Sequence, residues 1–246
     1  MSGTPRASRG TSRETPRASR ETPRETPREP LREAPRRAYN SERRREAAHR
    51  NRAAVLDACR ELLFRDGFHA TTIRAVAERA GVSAETVYKS FGGKPGMVKA
   101  LWDITLAGDD EPVAMGDRPQ MREILRTADP AAKLVLYAAF VRGIHERVAA
   151  LFALLTQAGP DVGEVLATAE RERLAGVTAF VTHLDGAGVL RPGADRARLA
   201  DAVWALAGPQ LFTQLTAGRG WSADVYEEWL AGTLTATLVG LPSREG

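Results

Sequence analysis

Twenty-eight consecutive residues, GFHATTIRAVAERAGVSAETVYKSFGGK at positions 67–94, leave the chain little conformational freedom. Gly67 and Gly81 are residues that can take the left-handed conformation ending a helix, and Gly92 with Gly93 repeats that signal eleven residues after Gly81. Thr71 or Thr72, and then Ser83, can accept the free backbone N–H groups of a following first turn. Between these punctuation marks Ile73, Val76, Ala77 and Ala80 recur at helical spacing and supply one apolar face. The reading is helix, tight turn, very short helix, the shape of a helix-turn-helix whose second helix enters a DNA major groove.

The flanking segments extend this unit. Residues 41–66 read as a preceding helix capped by Ser41, with Val55, Cys59, Leu62 and Leu63 on one face and Gly67 ending it. Val82, Val87 and Phe91 are expected to close a small core. Residues 95–107 read as a linking helix with Met97, Val98, Leu101 and Trp102 turned inward.

Charge is unevenly spread. The first 52 residues carry fifteen arginines against seven glutamates, a net of +8, residues 53–102 a net of +2, and residues 103–246 a net of −6. The basic part suits an anionic partner, and double-stranded DNA is the natural one. Residues 1–40 repeat TPRASR and ETPR with frequent proline and almost nothing large and apolar, so they are expected to be disordered. They serve either as a basic arm on phosphates or as a dispensable extension. Arg43, Arg44 and Arg45 are the stronger phosphate candidates, since they adjoin the first folded helix.

The same 28 residues resemble the signature of the tetracycline-repressor (TetR) family of bacterial transcriptional regulators: Gly-Phe, Thr-Thr, Ala-Gly-Val-Ser, Thr-x-Tyr, an aromatic and a closing lysine. Ser90 departs from the histidine often found before the aromatic. The resemblance implies an all-α chain with a three-helix DNA-binding domain at 41–107 and a helical ligand-binding and dimerisation domain at 120–241. It places Thr72, Ser83, Ala84, Glu85, Thr86, Tyr88, Lys89 and Lys94 at DNA. Thr72 and Lys94 are expected on phosphate, Tyr88 and Lys89 on phosphate and a nearby base edge, and the residues opening the recognition helix on base edges. Glu85 either accepts from a cytosine amine or faces solvent within the cap. Tyr88 has a second reading as a half-buried core aromatic.

Beyond residue 107, a loop over 108–120 precedes a central helix at 130–156. Leu134, Ala138, Val141, His145, Val148, Phe152 and Leu155 form its stripe, widened by Tyr137, Ile144 and Leu151. A helix over 161–186, broken near Thr168, follows. Two more complete the chain, the first kinked at Pro209. Tyr137, Phe140, Val141, His145, Phe152, Phe180, His183 and Leu184 are candidate lining for an apolar small-molecule pocket. For each, ordinary core is the competing reading, and His145 in particular suits a histidine held by a carbonyl. Gly232, Ala236 and Gly240 recur every fourth residue beside Thr233 and Thr237, with Trp229, Leu230, Leu234 and Leu238 as anchors, and read as the face of a homodimer.

The four histidines show no metal-ligand spacing, and no nucleotide loop, nucleophile elbow or zinc-protease motif is present, so neither catalysis nor a cofactor is expected. No apolar run is long enough for a membrane span, and the arginine-rich start lacks the apolar centre of a signal peptide. With a single cysteine, these features point to a cytoplasmic protein. The expectation is a repressor released from a palindromic operator by a small-molecule inducer. A non-specific, architectural DNA-binding protein is the alternative.

Overall fold

The computed structural model describes residues 34–239, with side chains from Arg43 onward. Residues 44 onward form one compact unit, and residues 34–43 of the preceding unit contribute helical backbone. Ten α-helices and two 3-10 turns, with no strand, make up the described residues.

Helix α1 (Ala34–Ala70) begins seven residues before the expected Ser41 cap. The segment after Ala34 is rich in arginine, alanine and glutamate, all strong helix formers, and these carry the helix through Ser41. The expectation of disorder therefore fails for residues 34–40, while residues 1–33 lie outside the described residues. Gly67 breaks α1 as expected, at φ 83° and ψ 172°.

Helices α2 (Ile73–Ala80), α3 (Ala84–Phe91) and α4 (Lys94–Ala107) follow in quick succession. Thr72, not Thr71, caps α2 by accepting from the Ala75 amide. Thr71 is buried, and its hydroxyl donates to the Gly67 carbonyl at 2.8 Å.

The expected loop holds a single 3-10 turn (Met115–Asp117), and its last two residues already begin a short helix, α5 (Pro119–Arg126), which buries Ile124. Helix α6 (Pro130–Gln157) starts from an Asp129 cap. Its stripe is buried as expected except at Phe152, which is half-buried. Helix α7 (Gly163–Gly186) runs unbroken through Thr168, whose hydroxyl donates to Glu164 on the exposed side instead of disturbing the backbone. Helices α8 (Arg196–Leu206), α9 (Pro209–Arg219) and α10 (Ala223–Leu238) complete the fold. Pro209 does not kink a helix; it starts one. Gly208 is extended, as a residue before proline prefers, and Pro209 takes the first turn, where its missing N–H costs nothing.

Two apolar cores share two rods. The first joins Val55, Cys59, Leu63, Val76, Val87 and Leu101 of α1–α4 to Val148, Leu151 and Leu155 of α6 and Val165 of α7. The second joins Leu134, Tyr137 and Val141 of α6 and Val177, Phe180 and Leu184 of α7 to α8–α10. The cores therefore do not divide at the loop after residue 107. One end of α6 and one end of α7 belong to each core.

Candidate nucleic-acid interface

Ser83 sets the geometry of the short helix α3. Its Oγ accepts from the Thr86 amide at 3.1 Å and pairs with the Thr86 hydroxyl at 2.8 Å. Gly81 (φ 68°) reverses the chain before it, and Gly92 (φ 73°) stops it after eight residues. Val87 is its one fully buried position. Facing outward are Ala84, Glu85, Tyr88 and Lys89. Tyr88 is 57% exposed, which excludes the core reading and leaves its phenol on the outer surface. Glu85 sits in the first turn, where a carboxylate suits the positive helix end, and its side chain makes no hydrogen bond or ion pair among the described residues. Thr72 and Ser83 are both exposed, so the free amides of two helix starts face solvent, as an anion site requires.

Most arginines near this surface already have acidic partners: Arg74 with Glu78 at 2.9 Å and Arg79 with Glu61 at 2.7 Å. Lys89 has none among the described residues and is the free cation of the recognition helix.

Lys94 corrects an expectation. Its ammonium turns inward, donating to the Phe68 carbonyl and lying 3.9 Å from the centre of the Phe68 ring. Burial pulls its pKa below the usual lysine value, against the opposing pull of Asp161. Lys94 thus fastens the start of α4 to the end of α1 instead of standing free for phosphate.

Residues 55–101 match the model of the bacterial regulatory proteins of the tetR family. This part of the chain is a tetR-family helix-turn-helix. Over 47 residues, 19% of this chain, it is 45% identical to the uncharacterized HTH-type transcriptional regulator YvkB of Bacillus subtilis strain 168, and the match spans 25% of that protein's length. The fold extends further. NalD, the secondary repressor of the MexAB-OprM multidrug efflux pump in Pseudomonas aeruginosa, superposes with a TM-score of 0.58 at 21% identity, over 82% of this chain and 100% of its own. The Bacillus subtilis regulator FadR, in complex with stearoyl-CoA, gives 0.56 at 15% identity, over 77% of this chain and 99% of its own. The fold shared with these two proteins therefore covers the C-terminal helices too, and no helix among the described residues is long and apolar enough to cross a membrane.

Of the candidate pocket residues, Tyr137, Phe140, Val141, Phe180 and Leu184 pack together in the second core. Tyr137 and Phe180 stack at 4.0 Å with their planes 6° apart, and Phe140 lies 6.4 Å from Tyr137. Val141 and Leu184 belong to the same core. Phe152 does not: it packs beside Trp102 against the first core. His183 pairs instead with the buried Lys133, Nε2 to Nζ at 2.9 Å, a contact across fifty positions with no sequence signature.

His145 bears out the carbonyl reading. Its Nε2–H donates to the Ala207 carbonyl at 3.2 Å, leaving Nδ1 without a partner among the described residues. The Tyr226 hydroxyl, in the neighbouring ring 6.2 Å away, is likewise unpartnered. Burial pulls the His145 pKa down to about 4; the Ala207 bond opposes this and Arg173 adds to it. The unfolded chain, with its histidine near the ordinary value of 6.5, takes up the proton first. Stability from this group is therefore complete above about pH 6.5 and is lost as pH falls towards 4, by about 3 kcal/mol. Urea unfolding of His145→Gln at pH 7 and 4.5, at fixed protein concentration, should show a markedly smaller acid loss than the parent; an equal loss would assign the acid sensitivity elsewhere.

On α10 the dimer expectation divides. Leu230, Leu234 and Leu238 are fully buried in the chain's own core with Tyr226, and are corrected from dimer anchors to core residues. The opposite face carries exposed Gly232 and Ala236, half-buried Trp229, Thr233 and Thr237, and Val225 at 46% exposure. Gly240 lies outside the described residues.

Proposed function

We propose that this protein is a sequence-specific transcriptional regulator that binds a palindromic operator as a two-fold dimer and leaves it when a small molecule enters the C-terminal core. The observation that carries this reading is α3: two turns long, capped by Ser83, with one side chain in the core and Tyr88 and Lys89 outside. Such a helix contributes little to stability, and its outward residues suit a partner. Tyr88 and Lys89 supply phosphate contacts, and Ala84 and Glu85 stand at the end that reaches base edges. Titrating the full chain against its selected duplex and a scrambled one, at physiological salt, should give affinities differing by about a thousandfold or more. A ratio near one would favour the architectural reading.

Dimerisation is assigned to the uncharged outer face of α10, where Gly232 and Ala236 permit close approach and Trp229 supplies contact area. Light scattering should find Ala236→Arg monomeric with its fold retained. A dimeric Ala236→Arg would move the interface elsewhere.

The effector reading rests on the rods α6 and α7. Parting the Tyr137–Phe180 stack makes room between the ends that belong to the second core, and the other ends carry the displacement to α1–α4. The names of the structural relatives, a drug-efflux repressor and a regulator holding an acyl-CoA, are consistent with a largely apolar effector. A chain of this type acts in the cytoplasm, where its operator lies.

A further inference from the structure

A crevice of about 290 Å³ opens where α1, α4 and α6 meet, away from every residue expected to line the pocket. Leu101 and Leu151, both fully buried, form its floor, and Ile104 and Phe64 its walls. Phe64 is 49% exposed, a large ring left uncovered on α1. Two arginines, Arg60 and Arg147, line the crevice, and no acidic side chain does. Arg60 makes no bond or ion pair among the described residues. Arg147 spends one N–H on the Leu106 carbonyl, at 2.8 Å. Gly108, at φ 87°, turns the chain at the rim, where a side chain would be strained by that backbone conformation.

We propose that this crevice is a binding site for an amphipathic carboxylate, an apolar chain or ring system ending in one carboxyl group. The apolar body covers Phe64 and Ile104, and the carboxylate accepts from the guanidiniums of Arg60 and Arg147, a geometry that suits a planar two-oxygen anion. The volume is at the small end of ordinary ligand sites, which run from about 300 Å³ upward. It admits a medium-chain fatty acid or an aryl carboxylate without a bulky headgroup. A molecule seated there touches α1, α4 and α6 together. If the regulator reading holds, it bears directly on the joint through which the second core acts on the DNA-binding helices.

The test is calorimetric titration of the full chain with decanoate, and with decanol as the neutral isostere, below micelle-forming concentrations. Decanoate is expected to bind at least about tenfold more tightly than decanol, and the Arg60→Gln/Arg147→Gln double variant to lose about tenfold or more. Both changes lie on the surface, and an unchanged thermal melt verifies the fold. A diazirine-bearing fatty acid should label peptides containing Phe64 or Ile104. Absence of decanoate binding, equal binding of decanol, undiminished binding by the double variant, or labelling confined to residues 137–184 would each overturn the assignment. None of these readouts involves DNA, so failure to bind an operator would count against the regulator reading alone.

Discussion

Gly96→Ala is expected to lower the melting temperature by about 6–12 °C, corresponding to a loss of about 3 kcal/mol. A Cβ built at Gly96 would stand 2.0 Å from the Phe91 carbonyl oxygen and 3.2 Å from its carbon. Both are backbone atoms, so no rotamer change relieves the overlap. The chain must move at Gly92–Gly93, where the left-handed turn holds α3 against α4. Since α3 buries only Val87, it has little else to keep it in place, and operator binding should weaken with stability. Gly116→Ala is the control: its position is open, its φ is not positive, and its melting temperature should not move. A Gly96→Ala protein that melts with the parent would mean that α3 and α4 tolerate a wider separation.

Tyr88→Ala should weaken operator binding by about tenfold to a hundredfold while leaving the melting curve intact. At 57% exposure the ring contributes little to the core, so the loss would be one of contact with DNA. As a phosphate contact, Tyr88 should affect all sequences alike. Lys89→Gln should likewise weaken binding uniformly and reduce the slope of log affinity against log salt by about one. Changes at Ala84, exposed at the start of the helix, should instead alter which bases are preferred. Thr86 has a different prospect, because its hydroxyl is bound to Ser83 and its side chain is half-buried. Substitutions there should disturb the cap first. A Tyr88→Ala protein with undiminished affinity would remove α3 from the interface.

The helix-turn-helix was legible because each boundary depends on a residue type with its own backbone chemistry: Thr72 and Ser83 as caps, Gly81 and Gly92 as left-handed stops. The stripe of α6 was legible for the same kind of reason, a fixed period of apolar side chains. What stayed hidden depends on direction or distance. Helix α10 has two faces without charge, and nothing in their period says that Leu230 and Leu234 turn to the chain's own core while Gly232 and Ala236 turn out. Lys94 has a long, flexible stem, and only the position of Phe68, twenty-six residues earlier, decides that it points inward. The Lys133–His183 pair and the arginine-lined crevice join elements far apart in the chain, where no local pattern marks them. Pro209 was read as an interruption because its ring breaks a helix interior, yet after an extended Gly208 the same ring suits a helix start.

The central claim is sequence-specific recognition by a two-fold dimer, and selection of duplexes from a random pool by the purified full chain, at physiological salt, tests it most directly. Enrichment of an inverted repeat with half-sites about one helical turn apart is the predicted result. Retention of duplexes with no common motif, lost steeply as salt rises, would contradict it and assign the binding to charge alone.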